Sequence, residues 1–279
     1  MYIDKIIKEA IAEDVGAGDF TSLSTIPKDA QATAKLVIKE EGILAGIDIA
    51  KKVFNVVDPE VEFIKKIEDG VPVDIGDTVF KVKGSAVSIL TAERLALNFM
   101  QRMSGIATNT NKYVNLLKGT HTKILDTRKT TPLLRELEKY SVKVGGGENH
   151  RFALYDMIMI KDNHIDFAGG ITQAVEACNK YLEENKLNLR IEIEVRNLVE
   201  VIEVLQCGGV HRIMLDNFTP SEIEDALLLI DGVYETEASG GITENTIRAY
   251  AETGVDFISV GALTHHIKSL DMSLVSDIG

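Results

Sequence analysis

Ile191-Glu-Ile-Glu-Val195, a helically spaced stretch from Asn197 to Gln206, then Arg212-Ile-Met-Leu-Asp216 and Asn217: this run decides the fold. An apolar strand, a helix and a second apolar strand make a βαβ unit, and the alternation continues on both sides. Upstream, Lys123-Ile-Leu-Asp-Thr127 leads into Arg128-Lys129, and Met157-Ile-Met-Ile160 into Lys161-Asp-Asn-His164. Downstream, Val233-Tyr-Glu-Thr-Glu-Ala238 leads into Ser239-Gly240-Gly241, and Phe257-Ile-Ser-Val260 into Gly261. The spacing predicts further helices over Pro132–Tyr140, Gly170–Asn185, Pro220–Leu229 and Glu244–Thr253. Strands alternating with helices form parallel sheets or barrels, whose ligands sit at the carboxyl ends of the strands. Here those ends carry two cationic clusters and two acids where a purely structural strand would end on turn residues, so they outline one active site.

Before this region the pattern differs. Ile3, Ile6, Ile7 and Ile11 place a helix over Tyr2–Glu13, which Gly16-Ala-Gly18 ends. Ala34-Lys-Leu-Val-Ile38, Glu62-Phe-Ile-Lys65 and Thr78-Val-Phe-Lys-Val82 read as short strands in a small α/β or β-rich domain. Thr91 to Met103 is a strong helix with a polar stripe of Arg94, Asn98, Gln101 and Gly105, a face that ordinarily meets water. The expected division is an N-terminal domain over 1–105, an α/β barrel over 106–265, and a tail over 266–279 that returns to the first domain.

Composition narrows the function. The 279 residues are 45% hydrophobic, ordinary for a soluble globular protein. With 30 Lys and Arg against 43 Asp and Glu, the net charge of −13 argues against a nucleic-acid or anionic-membrane surface. The charged start is a poor signal peptide and no apolar run is long enough for a membrane span. Cys178 and Cys207 lack metal spacing and read as reduced thiols, so a cytoplasmic protein is expected. Yet Arg128, Lys129, His150, Arg151, Lys161 and His164 fall within 37 positions. An acidic protein that gathers cations in one place is built to bind a small, multiply charged anion there.

Strand parity sharpens the expectation. In the strand from Ile191 to Val195 the apolar residues share one face, and Glu192 and Glu194 the other; likewise Arg212, Met214 and Asp216 stand together. Glu194 and Asp216 then project into the barrel mouth, either as ligands for Mg²⁺ or as ion-pair partners for Lys161 and Arg212. Arg128 and Arg151 suit carboxylates or phosphates, which their planar forks bind bidentately. Lys161 at the end of an apolar strand needs a partner or a ligand. Ser239-Gly240-Gly241 and Gly261 are small residues at consecutive strand ends, a common place for a phosphate.

The segments Thr91-Ala-Glu-Arg94-Leu-Ala-Leu-Asn98 with Ser104-Gly-Ile-Ala-Thr108, Asp126-Thr-Arg-Lys-Thr130, Gly145-Gly-Gly-Glu-Asn-His-Arg151, Ile160-Lys-Asp-Asn-His164, Leu215-Asp-Asn-Phe218, Ser239-Gly-Gly241 and Ser259-Val-Gly-Ala-Leu-Thr264 together resemble the quinolinate phosphoribosyltransferase family, in order and over essentially the whole chain. The resemblance implies an α/β protein with an N-terminal α/β sandwich and an incomplete, open α/β barrel of TIM-like type. It implies phosphoribosyl transfer from phosphoribosyl pyrophosphate to quinolinate with decarboxylation, giving nicotinate mononucleotide, pyrophosphate and CO2 for NAD biosynthesis. By resemblance, Arg94 of a neighbouring subunit, Arg128, His150, Arg151 and Lys161 surround the dicarboxylate. Thr127 also binds substrate, while Lys129, Glu194 and Asp216 serve the ribose, pyrophosphate and Mg²⁺. Ser239, Gly240, Gly241, Val260, Gly261 and Ala262 hold the 5′-phosphate. Lys129, Lys161, Glu194 and Asp216 are the implied catalytic set, Mg²⁺ the cofactor, and a homodimer or higher oligomer with shared sites the assembly.

Three other readings compete. A molybdenum-associated homologue would use the same architecture on another base. The turn-rich strands from Val71 to Lys83 resemble a lipoyl or biotinyl carrier domain, although the modifiable lysine at a hairpin tip is missing. A catalytically silent phosphate-binding barrel would have no need of the two acids.

Overall fold

The computed structural model describes residues 2–277 and divides into two units. Among the described residues the first comprises 2–111, 131–146 and 266–277. Its helices are α1 (Tyr2–Val15), α2 (Phe20–Thr25), α3 (Ile47–Val57), α4 (Ala86–Leu116, which runs on into the second unit) and α5 (Arg135–Val144). Its strands are β1 (Gln31–Ile38), β2 (Gly42–Ile43), β3 (Glu62–Lys65), β4 (Pro72–Val73) and β5 (Thr78–Ser85), joined by β12 (Met272–Ser276) from the far end of the chain. Four of them form an antiparallel sheet in the order β12-β1-β5-β3, and β2 pairs with β4.

Alternation explains this sheet. Leu36 and Ile38 of β1 and Phe80 and Val82 of β5 are fully buried, and Phe80 stacks against Phe63 of β3 with ring centroids 4.4 Å apart. Helix α3, which the sequence reading did not expect, buries Ile47, Ala50, Val53 and Phe54 on one stripe. Its N-terminus is held from a distance: Asp69 accepts the N–H groups of Gly46 (2.9 Å) and Ile47 (3.1 Å). The segment from Val71 to Lys83, compared above with carrier domains, supplies β4 and β5.

Helix α4 runs on through residue 105, the expected domain boundary, and Ser104 and Gly105 pack against the first unit's own chain. Ser104 Oγ accepts the Ala45 N–H (2.9 Å) and donates to the Ala45 carbonyl (3.1 Å). A Cβ on Gly105 would fall 2.3 Å from the Lys268 carbonyl oxygen. The polar stripe is therefore only partly wet: Gln101 Nε2 donates to the Met272 carbonyl (3.0 Å), while Arg94 and Asn98 are exposed. Residues 131–146, assigned to the barrel by the sequence, belong to the first unit. Leu137 of α5 joins that unit's core, and Glu138, almost wholly buried, receives Arg102 Nε (2.9 Å) and Nη2 (2.6 Å).

The second unit, 112–130 and 147–265, holds six parallel strands in the order β6-β11-β10-β9-β8-β7. These are β6 (Lys123–Leu125), β7 (Ile158–Ile160), β8 (Ile191–Val195), β9 (Arg212–Asp216), β10 (Glu235–Ser239) and β11 (Phe257–Ser259). Between them run α6 (Asp162–Ala168), α7 (Ile171–Asn185), α8 (Leu198–Cys207), α9 (Pro220–Ile230) and α10 (Ile247–Glu252), with α11 (Ala262–His265) after β11. Because β6 and β7 are the two ends of the sheet, the barrel is open. Ile193, Val195, Ile213, Leu215 and Ala238 are fully buried, as parallel strands covered by helices require. Among the described residues no helix is long and apolar enough to cross a membrane.

Candidate active site

The carboxyl ends of the strands surround one cleft of about 570 Å³, lined entirely by the second unit. The end of β6 brings Thr127, Arg128 and Lys129, and two bonds pin this turn. Thr127 Oγ1 accepts the Lys129 N–H (3.0 Å), and Thr264 Oγ1 donates to the Lys129 carbonyl (2.8 Å). The buried Asp126 ties the next loop to the same strand, accepting the His150 N–H (2.9 Å) and Asn149 Nδ2 (2.5 Å). His150 and Arg151 thereby reach the cleft. Burial, and the like charge of Arg128 beside it, lower the pKa of Arg151. Two guanidiniums held against their repulsion are suited to a shared anion.

Lys161 at the end of β7 pairs with Glu194 of β8, whose side chain is largely buried. Asp216, ending β9, is raised above the ordinary carboxylate value by burial and by the Glu194 charge. The two acids are thus close enough to interact, with Lys161 offsetting their charge in part, and they are the carboxylates that could hold a divalent cation. The fate of His164 is different. Its Nδ1 accepts the Lys161 N–H (2.9 Å) at the start of α6, so it serves the helix rather than the cleft.

Below Glu194 the same face of the sheet carries a charge network. Glu192 of β8 and Glu237 of β10 are fully buried, with carboxylate oxygens 2.9 and 3.3 Å from His150 Nε2. Arg212 of β9 reaches Glu237 (3.0 Å) and Glu235 (2.9 Å). Burial disfavours the charged imidazole, but the two acids outweigh it and lift the His150 pKa to about 9. His150 Nδ1 meanwhile accepts the Arg151 N–H at 2.6 Å, which requires Nδ1 unprotonated. The two pull apart: the imidazolium that the acids favour carries a proton on Nδ1 as well, so the Arg151 contact exists only in the neutral ring with its proton on Nε2. Burial and the charge of Glu237 push Glu192 up to about 7. Burial also acts against Glu237, yet bonds from His150 and Ser259 and the Arg212 charge hold it below the ordinary range. Ligand atoms of His150, Glu192 and Glu237 lie within 4.8 Å of one another, a spacing open to a metal ion, but here Arg212 supplies countercharge.

On β10 and β11 the ends are small. Gly240 (φ +99°) and Gly241 (φ +61°) are both left-handed, and successive turns of this kind form concavities for anions. A Cβ on Gly240 would meet Asn217 Oδ1 at 2.2 Å, so only glycine fits. Asn217, itself at φ +58°, donates its N–H to the Ser239 carbonyl (2.8 Å) and locks the turn to β9. Val260, Gly261 and Ala262 line the cleft next to it.

Of the residues that the resemblance assigns to the site, the structure brings all but Arg94 to this cleft; Arg94 is carried by the first unit, exposed on α4, and His164 of the cationic cluster also stays out of it. Met159, Glu237, Ile242, Thr243, Ser259 and His265, which the sequence reading did not name as site residues, also line the cleft. Glu237 was reachable by the parity that found Glu194, since Glu235, Glu237 and Ser239 alternate in the same way. His265 carries no strand-end signal, and only the turn of α11 brings it in.

An open α/β barrel with a cationic cleft, paired acids and a glycine turn for an anion defines a class of enzyme acting on a phosphorylated, multiply charged substrate. The chain belongs to the quinolinate phosphoribosyltransferase family: residues 19–104 match the family's N-terminal domain and 106–275 its C-terminal domain. A relative from Nicotiana tabacum, quinolinate phosphoribosyltransferase [decarboxylating] 1b, is 46% identical over 98% of this chain and 81% of its own. A probable nicotinate-nucleotide pyrophosphorylase [carboxylating] from Bacillus subtilis is 43% identical over 98% of this chain and 93% of its own. The solved nicotinate-nucleotide pyrophosphorylase from Francisella tularensis superposes with a TM-score of 0.94 at 43% identity, covering 99% of this chain and 96% of that one.

Proposed function

We infer that the chain carries out the reaction its relatives' names describe from opposite ends. Quinolinate takes the phosphoribosyl group of phosphoribosyl pyrophosphate and loses CO2, giving nicotinate mononucleotide and pyrophosphate for NAD biosynthesis. The observation that carries this reading is the division of one cleft into zones along the sheet. Small turns for a phosphate stand on the neighbours β10 and β11, two acids on β9 and β8, and Lys161 on β7, with the Arg128 and Arg151 guanidiniums close enough to repel. A sugar phosphate and a planar dicarboxylate need such separate anchors.

In this reading Ser239, Gly240, Gly241, Val260, Gly261 and Ala262 hold the 5′-phosphate, and Thr127 supports the Arg128–Lys129 turn. Arg128, Arg151 and Lys161 take the two carboxylates and aim the ring nitrogen at the ribose carbon. As the bond to pyrophosphate breaks, positive charge grows on the ribose, which Glu194 and Asp216 face, and negative charge grows on the leaving group, which Lys129 neutralises. The new bond from nitrogen leaves the ring cationic. The electron pair freed when CO2 departs remains on the adjacent carbon, stabilised by that cation, and then takes a proton. Glu194 and Asp216 would hold Mg²⁺, which offsets the charge of pyrophosphate when bound. The burial of Asp216 and its repulsion by Glu194, which together raise its pKa, support this fit.

A homodimer or higher oligomer with Arg94 completing a neighbour's site is part of the proposal, supported by the exposure of Arg94 on α4. A cytoplasmic location is supported by two free cysteines, both half-buried and with thiol pKa values raised chiefly by burial. The test is incubation with quinolinate, phosphoribosyl pyrophosphate and Mg²⁺. Stoichiometric nicotinate mononucleotide, pyrophosphate and CO2 are expected, and folded enzyme that yields none overturns the reading.

A further inference from the structure

Among the described residues four other than glycine hold a positive φ: Leu133, Lys186, Asn217 and Asp231. Lys186 and Asp231 end helices α7 and α9, and Leu133 lies in the turn before α5. Asn217 is the one that follows a strand of the parallel sheet, next to Asp216. Its conformation, φ +58°, is enforced from both sides. Its N–H donates to the Ser239 carbonyl at 2.8 Å, beside the register pair of Asp216 and Ser239. After it, Phe218 is buried and Thr219 opens α9 with a capping box to Glu222. A strained residue that its neighbours over-determine in this way points to a site. The side chain shows what the strain serves. Nδ2 donates to Asp216 Oδ2 at 2.6 Å, while Oδ1 lies against Gly240, where a Cβ would have no room. Asn217 is exposed, and the residues it touches, Asp216, Ser239 and Gly240, line the cleft. Glycine and aspartate also tolerate a left-handed backbone, but glycine has no donor and aspartate would set a second carboxylate against Asp216. Of the residues that take this conformation readily, asparagine is the one that makes the turn and holds the acid at once.

We propose that Asn217 is a positioning residue for phosphoribosyl pyrophosphate, fixing the Asp216 carboxylate relative to the Ser239–Gly240 turn. The acid assigned to Mg²⁺ and the turn assigned to the 5′-phosphate then keep one spacing. Asn217 acts through Asp216 rather than by touching the substrate. The inference rests on the reading of Asp216 as a Mg²⁺ ligand and adds a residue which that reading does not use.

The experiment is calorimetric titration of the full-length protein with phosphoribosyl pyrophosphate, with and without Mg²⁺, quinolinate being left out so that no turnover occurs. The readout is the factor by which Mg²⁺ tightens binding. Asn217→Gly removes the amide and eases the backbone, and that factor is expected to fall about threefold or more, with affinity in the absence of Mg²⁺ kept within about twofold. In an Asp216→Ala background, Asn217→Gly adds nothing further, because both changes act on the same carboxylate. Asn217→Ala carries the same expectation for the factor and takes the place of the glycine variant should that one not fold. Asp216→Ala is the control on the underlying assignment: a factor there equal to that of wild type overturns the assignment and this inference with it. With the factor lost in that control, three results each overturn the inference alone. They are a smaller fall in the Asn217 variant, equal weakening with and without Mg²⁺, as a residue that only makes the turn would give, and a further loss in the double variant.

Discussion

Replacing Gly240 by Ala puts the phosphate turn under a load that can be worked out atom by atom. At φ +99° an L side chain carries strain of about 1–2 kcal/mol. The added Cβ would lie 2.2 Å from Asn217 Oδ1, 2.7 Å from its Cγ and 2.9 Å from its backbone nitrogen. The Asn217 amide can swing aside by giving up its bond from Nδ2 to Asp216 Oδ2 (2.6 Å). The backbone nitrogen has no such exit while it donates to the Ser239 carbonyl at 2.8 Å. Overpacking of this kind adds about 1–3 kcal/mol. The sum, about 2–5 kcal/mol, corresponds to a loss of roughly thirtyfold to several thousandfold in kcat/KM for phosphoribosyl pyrophosphate. Gly241→Ala is the internal control, since at φ +61° nothing lies within 4 Å of its Cβ and only the strain remains. Its loss should be roughly five- to thirtyfold. Quinolinate binding, read by calorimetry, should change little in either variant. Equal losses at the two glycines, or a Gly240→Ala enzyme that loses quinolinate affinity while retaining its KM for phosphoribosyl pyrophosphate, would refute the reasoning.

Four further outcomes are expected. Arg102→Leu strands the buried Glu138 carboxylate and should lower stability by on the order of 3 kcal/mol in urea unfolding; a second change, Glu138→Leu, should recover most of it, and a loss under about 1 kcal/mol would count against the pair. Lys81 and Lys35 hold the Asp277 carboxyl below its ordinary 3.8, so its stabilisation is present above that value and fades as pH falls through the depressed one. The melting-temperature gap between wild type and Asp277→Asn should accordingly be widest near neutral pH and close in acid, and a gap that widens in acid would reverse the sign. Chelation should abolish turnover and Mg²⁺ restore it, whereas Asp216→Ala should slow turnover with quinolinate affinity retained; an Asp216→Ala enzyme with wild-type rate and Mg²⁺ dependence would contradict the ligand assignment. Arg94→Ala and Lys161→Ala, each nearly inactive, should regain roughly a quarter of wild-type activity after verified subunit exchange in a twofold dimer; verified heterodimers without activity would exclude the shared site.

The sequence was legible where one physical signal dominated. Short apolar strands closed by Lys161, Asp216 or Ser239 announced both the parallel sheet and the cleft, because strands covered by helices are mostly apolar and the groups that close them gather at one end of the sheet. Parity likewise put Glu194 and Asp216 on the cleft side. Residues whose role depends on a partner far along the chain were less legible. Gly105 reads only as a member of a polar helix stripe until the backbone at Lys268 is seen to pass against it. The helix expected over Pro132–Tyr140 looked like part of the barrel because its neighbours in sequence were barrel strands, but Leu137 and the Arg102–Glu138 pair bind the observed helix, Arg135–Val144, into the first unit. Helix α3 was within reach from the spacing of Ile47, Ala50, Val53 and Phe54, although its cap, Asp69, was not. Glu192 was noted only for its parity with Glu194, and nothing local reveals that His150 lies opposite it.

The pairing of β12 with β1 has a consequence for synthesis on the ribosome. Leu36 faces Leu274 in that ladder, so the two partners are roughly 240 residues apart in the chain. The edge of β1 must wait, with its peptide groups open to water or to other chains, while every strand of the second unit is translated. The second unit's six strands lie within one continuous later span, and they can pair as they emerge. Order of appearance and order of completion are thus reversed: the part made first is finished last. Closure over so long a loop slows the final step more than it weakens the product, because the entropy of closure grows only with the logarithm of loop length. During that interval the exposed edge is a place where a chaperone, or another nascent copy, competes with the native strand.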